Sequence, residues 1–353
     1  MKRISRIQSQ FDLIRQLDQY AKASGISIQN PKSQVAFLAA LVAGFQKQRT
    51  DGILVHGLRV QAMFAYVAAG MGNCAAIKEE DAGEIYCQDD TLAAPDFRVV
   101  MLNGEEILVE VKNHHPKEPG ETYEVKADYL GRLERYAALF KRPLYLAIFW
   151  SQPKIWSLAQ PKDFVRNGPN FELPLTTAMM KNKLGLLGDM MIGTTPSLSL
   201  KLYSDPAKPR AVGLDGLTPF TIGQVELLCG DRVLTDPKDR EIAWFLMHYG
   251  NWTGGDSPAE VRDGLLVSTS ITVAPEERAN PDQLFESVGF LSQMLSRQFN
   301  AHTTADGQVT KLSPTEDPGT INVAIPADHK SEALPLWRFA YSPAPAGPMT
   351  PAS

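Results

Sequence analysis

Residues 95–97 read Pro95-Asp96-Phe97, and residues 110–112 read Glu110-Val111-Lys112. Two carboxylates and an ammonium at this spacing suit hydrolysis of a phosphodiester. Glu110 and Lys112 stand two apart in the run Ile107 to Lys112, so they project from one face of a strand, while Val109 and Val111 project from the other into a core. Asp96 precedes the apolar run Phe97 to Met101. If the connecting loop is Leu102-Asn103-Gly104, Met101 pairs with Glu105 and Asp96 falls opposite Glu110, on the same face. Gly104 would then take the left-handed position that such loops need. A two-residue Asn-Gly turn would send the carboxylates to opposite faces, so the chemistry predicts the longer loop or an equivalent bulge.

Carboxylates side by side repel unless a cation joins them. Oxygen-only ligands suit Mg²⁺ or Mn²⁺, which keep waters and take one or two carboxylates plus substrate phosphate. The backbone carbonyl of Val111 is a further candidate ligand. Lys112 would orient or help deprotonate the attacking water, or stabilise charge on the pentacovalent phosphate, and the metal would lower the pKa of that water. The competing reading of the same side chains is a surface salt-bridge cluster on a hairpin. Two similar strings elsewhere lack the context: Pro281-Asp282 has no acidic-x-Lys within the 10 to 20 residues after it, and Glu124-Val125-Lys126 reads as a helix start.

The positioning elements follow from periodicity. Residues 11 to 23 have helical spacing closed by Gly25, and a second helix runs from Pro31 to about Phe45, with Ser33 as one candidate N-cap. A polar break, Lys47 to Gly52, separates this hairpin from a helix over Gly57 to Gly70. Strands are expected at Asn73 to Lys78, Glu84 to Gln88, Phe97 to Met101, Ile107 to Lys112 and Leu144 to Trp150, with a helix from Lys126 to Phe140.

This arrangement resembles the PD-(D/E)xK nuclease superfamily, the restriction-endonuclease-like fold, with a layout most similar to Holliday-junction-resolvase and Mrr-type members. The resemblance covers about residues 53 to 156 and places Asp96, Glu110 and Lys112 on the family's metal-binding and catalytic positions. The family's first helix often carries a metal-binding glutamate, where this chain has Gln61. The family's following helix often carries a glutamine, where this chain has Tyr129. Arg59 lies near the site by the same layout, as a candidate phosphate contact. The resemblance implies an α/β fold, a mixed sheet flanked by helices. It also implies a Mg²⁺- or Mn²⁺-dependent endonuclease acting on DNA in restriction, defence or repair. The alternative is a catalytically inactive nuclease-like module that binds nucleic acid or acts as a scaffold.

Around this unit the chain divides, on this reading, into a helical lead-in (1–50), the nuclease-like domain (51–160), an α+β domain of unknown role (161–340) and a disordered tail (341–353). In the second region strands are expected at Leu198 to Tyr203, Val225 to Cys229 and Leu265 to Val273. Helices are expected at Asp239 to Tyr249 and from an Asn280-Pro281-Asp282 cap to about Phe299. Trp244, Phe245 and Tyr249 read as core of that region rather than a base-stacking platform.

With 35 Lys and Arg against 40 Asp and Glu, the 353-residue chain has a net charge of −5. That excludes a polybasic coat but leaves room for a local basic groove. Lys126, Arg132, Arg135, Lys141 and Arg142 against Asp128 and Glu134 form one candidate strip, which would face a DNA backbone or solvent. His114 and His115 read as solvated loop residues. The cysteines Cys74, Cys87 and Cys229 form no disulfide framework and no CxxC. The longest apolar run, Val35 to Phe45, is short of the roughly 20 residues of a membrane span. The expectation is a soluble cytoplasmic protein, a homodimer being one option.

Overall fold

The computed structural model describes residues 1, 8–25, 27–50, 52–80, 85–88, 91–118, 120–255, 257–278, 282–314 and 320–340. The proposed tail, 341–353, lies outside the described residues, as do Glu84, Asn280 and Pro281.

The chain begins with α1 (Gln8–Ala23) and α2 (Pro31–Thr50). The N-cap of α2 is Asn30, whose Oδ1 accepts from the Lys32 amide at 2.9 Å, with Pro31 as the first helical residue. Ser33 is instead buried and donates to the Ser27 carbonyl. Helix reaches into the expected polar break from both sides, since α2 continues to Thr50 and α3 (Gly52–Met71) begins at Gly52.

The central sheet has five strands: β1 (Cys74–Glu79), β2 (Phe97–Met101), β3 (Glu106–His114), β5 (Leu144–Trp150) and β6 (Ile155–Ala159), in the order β1-β2-β3-β5-β6. β3 and β5 are parallel and every other pair in this sheet is antiparallel. The parallel pair needs a crossover, which is made by β4 (Tyr123–Lys126) and α4 (Ala127–Phe140). Glu124-Val125-Lys126 is therefore strand, not a helix start. It pairs with β8 (Asn170–Leu173), which also pairs with β7 (Val165–Asn167). Residues 85–88 form no strand.

Alternation along β3 sorts the two faces. Ile107, Val109 and Val111 join Met63, Phe64 and Val67 of α3 in one buried cluster. Leu108 joins Leu130, Leu133 and Tyr136 of α4 in the other. The chain is thus a mixed α/β protein in which helices flank this sheet.

The remaining elements are α5 (Leu175–Met180), β9 (Met191–Thr194), β10 (Leu198–Ser204), β11 (Ile222–Cys229), β12 (Arg232–Val233), α6 (Pro237–Tyr249), β13 (Thr253–Gly254), β14 (Ala259–Arg262), β15 (Leu265–Ala274), β16 (Glu286–Phe290), α7 (Leu291–Thr303), β17 (Thr304–Ala305), β18 (Gln308–Val309) and β19 (Leu336–Phe339). β10 lies between β11 and β15, and β9 between β16 and β19. The helix expected from residue 280 starts only at Leu291, because Glu286–Phe290 pairs with β9 and its Val288 is fully buried. Phe245 is buried, whereas Trp244 is largely exposed, so only part of that aromatic group is core.

α7 belongs to the second region by sequence but packs on α3 and β6. Met294, Leu295 and Phe299 share the cluster that holds Phe64 and Val109. Trp156 donates to Ser296 Oγ at 2.9 Å, and Tyr66 donates to Gln298 Oε1 at 2.9 Å. Gly70 permits this approach, since a Cβ there would stand 2.7 Å from Leu295 Cδ2. The N-terminal end of α7 is held by Asp189, which accepts from the Ser292 amide and hydroxyl at 2.9 and 2.8 Å.

Candidate active site

The β2–β3 register is Phe97 opposite Val109 and Val99 opposite Ile107, as the Leu102-Asn103-Gly104 loop requires. The Met101 amide donates to the Glu105 carbonyl at 2.8 Å, and Gly104 takes φ +85°. Only a residue tolerant of the left-handed region closes the loop this way without strain.

Pro95 has no amide to extend the strand, so the ladder toward β3 ends at Phe97. The next amide on β3, that of Val111, is taken by the Asp96 side chain, whose Oδ2 accepts it at 2.6 Å. On the opposite edge the Asp96 carbonyl accepts from the Glu80 amide at 2.8 Å. Asp96 is thus held by backbone bonds to both neighbouring strands. Its Oδ1 accepts from Gln61 Nε2 of α3 at 2.5 Å.

Glu110 and Lys112 share the α4 face. Lys112 Nζ lies 2.6 Å from Glu110 Oε1, and the Tyr129 hydroxyl donates to the same oxygen at 2.6 Å. The Lys112 ammonium also sits 4.8 Å from the Tyr129 ring centroid. Burial, the Glu110 charge and the hydrogen bond to it push the Tyr129 phenol far up, so it remains a donor. Glu110 is 2% exposed and Asp96 7%, while the Lys112 side chain is 31% exposed. Glu110 is therefore a buried carboxylate paired with a partly exposed cation, and Asp96 is a second buried carboxylate on the neighbouring strand. That differs from a surface salt-bridge cluster, whose members would be solvated.

The fold thus brings together Asp96, Glu110, Lys112, Gln61 and Tyr129, and it turns Arg59 elsewhere. The Arg59 guanidinium donates to Asn300 Oδ1 and Thr303 Oγ1 and lies over the Phe299 ring, and burial draws its pKa down. It ties α3 to α7. The basic strip is also partly committed: Arg132 and Arg135 donate to the Leu92 and Thr91 carbonyls, and Arg142 pairs with Glu106. His114 is buried against Tyr123 and Trp150 with its Nε2 at the Glu121 carbonyl, while His115 is exposed.

A second acidic group was not evident in the sequence. Glu80, at the end of β1, accepts from Arg98 at 2.5 Å and from Tyr136 at 2.8 Å. Burial opposes its charge, but the Arg98 and Tyr136 hydrogen bonds and the Arg98 charge prevail and hold its carboxyl below the ordinary range. α4 therefore gives one tyrosine to each buried glutamate, Tyr129 to Glu110 and Tyr136 two turns later to Glu80. That spacing on one helix face was the available signal.

Among the described residues no group of three or more His, Cys, Asp or Glu is gathered to hold a metal. The donors present are nevertheless all oxygen: the Asp96 and Glu110 carboxylates and the Val111 carbonyl. The amide and carbonyl of a strand residue point to the same side, so the Val111 carbonyl is directed to the edge where its amide meets Asp96. This set suits a hard divalent cation that retains waters.

No family model matches the chain, and no curated protein matches it. A solved structure similar to part of it is Archaeoglobus fulgidus Hjc, a Holliday junction resolvase from an archaeal hyperthermophile. It has 18% identity and a TM-score of 0.30, over 38% of this chain and 96% of that chain. Similarity of that degree assigns neither an activity nor a substrate to this chain. No described helix is long and apolar enough to cross a membrane.

Proposed function

We propose that this protein is a divalent-metal-dependent nuclease of restriction-endonuclease-like layout that hydrolyses DNA phosphodiester bonds. The reading is supported chiefly by one observation: two buried carboxylates stand on adjacent strands, Asp96 fixed to the Val111 amide and Glu110 paired with the ammonium of Lys112. Burying two carboxylates with a single cation leaves a net negative pocket, costly without a further positive charge.

Asp96, Glu110 and the Val111 carbonyl would hold Mg²⁺ or Mn²⁺. When bound, the ion supplies charge neutralisation and a more acidic water. Lys112 would orient that water and stabilise charge developing on the phosphate. Asp96 is kept in place by Val111 and Glu80, so the edge of β3 is preorganised. Gln61 would hold the outer side of Asp96, and turning its amide would present an oxygen instead of a donor. DNA is the expected partner, with partly exposed Lys112 and exposed Lys126, three residues before Tyr129, as candidate phosphate contacts, and a pair of subunits would suit cutting both strands.

A second reading rests on Gln61. An amide that donates to Asp96 partly satisfies the carboxylate without any ion, as would suit a nuclease-like binding module without catalysis. The deciding experiment incubates the protein with plasmid, linear, branched and single-stranded DNA in Mg²⁺ or Mn²⁺. Cleavage that disappears in Asp96→Ala and Lys112→Ala is expected. No cleavage of any substrate, with metal-indifferent binding unchanged in both variants, would establish the second reading instead.

A further inference from the structure

α2 carries no charged residue from Ser33 to Gln46. A helix apolar on all sides is normally covered on all sides. One side of α2 is covered: Phe37 packs on Tyr20 of α1, with ring centroids 5.8 Å apart. The other side presents Val35, Leu38, Val42 and Phe45 at 70%, 60%, 58% and 65% exposure. Their spacing of three, four and three is an a-d-a-d seam over two heptads. The seam is narrow. Ala39 beside it is small and also exposed, leaving room for the side chains of an approaching helix.

We infer that this seam is a homodimer interface, in which α2 of one copy packs along α2 of a second copy. A seam of this spacing is self-complementary about a twofold axis, and its charge-free flanks do not oppose an identical partner. β-branched residues at the a positions, Val35 and Val42, with Leu38 at d favour two strands over three or four. The area sets the strength. Four such side chains give about 400 Å² per copy, or about 800 Å² in all, below the range of tight complexes and typical of weak, reversible association. A lipid surface fits less well, because interfacial helices show a broad apolar face opposite a charged one, and this helix has no charged face in that stretch. The inference does not depend on the nuclease reading.

The test is sedimentation equilibrium of the full chain from about 1 to 200 μM. The expected result is a monomer–dimer equilibrium in the micromolar range. Leu38→Glu and Val42→Glu should each weaken it at least a hundredfold, and mixing Leu38→Glu with Leu38→Lys should restore association. Far-UV circular dichroism monitors folding, and Leu38→Gln replaces any glutamate variant that unfolds. Wild type that stays monomeric throughout, or a dimer indifferent to all these substitutions, would overturn the inference. So would a monomer that sediments with phosphatidylcholine–phosphatidylserine vesicles.

Discussion

Gln61 on α3 and Asp96 at the head of β2 meet at 2.5 Å, although α3 covers the sheet face opposite to the one that Glu110 and Lys112 share. Asp96 sits where the strand ends, so both layers reach it. Gln61→Glu would add a third carboxylate at this point. Without metal the added repulsion should lower stability by about 1–2 kcal/mol. With Mn²⁺ present, calorimetric affinity should rise about tenfold, since ligand charge sets the strength of such oxygen sites. Unchanged Mn²⁺ affinity would argue against a metal at Asp96.

Lys112→Met should reduce DNA cleavage by about 10²–10⁴-fold while binding persists, the range expected for a group that acts on the proton or charge of the transition state. Its effect on stability should be about 2–3 kcal/mol, because buried Glu110 loses its charge partner while Tyr129 continues to donate to it. A large loss of folding in urea melts, without a separate loss of cleavage rate, would assign Lys112 a structural role alone.

Glu80 should act on the fold instead. Glu80→Gln removes the charge partner of Arg98 and should lower the urea-derived stability by about 2 kcal/mol. The wild-type carboxyl lies below its ordinary value in the folded protein, so its contribution is full above the unfolded pKa and is lost as pH falls through the folded one. The variant should therefore lose less stability than wild type on acidification.

Asp189 carries the opposite sign. Burial raises its carboxyl from 3.8 to about 6, against the opposing hydrogen bonds from Ser292. Its favourable contribution is full below the unfolded pKa and is lost as pH rises through about 6, a change of about 3 kcal/mol. Asp189→Asn should flatten the stability profile between about pH 4 and 6, the span of the two pKa values, because the amide oxygen still accepts the Ser292 N–H. A profile as steep as wild type would place that titration elsewhere.

The local part of this structure was legible in the residues. Asn103-Gly104 between two apolar runs set the hairpin, its register put Asp96 and Glu110 together, and the apolar alternation in β3 separated Val111 from Lys112. Distant partners decided the rest. Arg59 reads as a phosphate contact until α7 arrives from far along the chain with Asn300 and Thr303. Glu124–Lys126 has the composition of a helix start and becomes strand because β8 offers an edge. The Pro281-Asp282 string suggests a helix, yet Glu286–Phe290 gains more by burying Val288 beside β9. Glu80 is an ordinary surface residue on paper, because only the fold sets it beneath Arg98 and Tyr136.

The packing of α7 on α3 bears on how the protein is made. Strands β1 to β6 leave the ribosome well before α7, and at about 5–20 residues per second the interval is on the order of ten seconds or more. During it the nascent sheet lacks Met294, Leu295 and Phe299 from its covering layer. Synthesis of this chain is therefore expected to lean on chaperones that hold apolar surface. A chain released before residue 291 would carry every proposed catalytic group and still lack the helix that completes their scaffold.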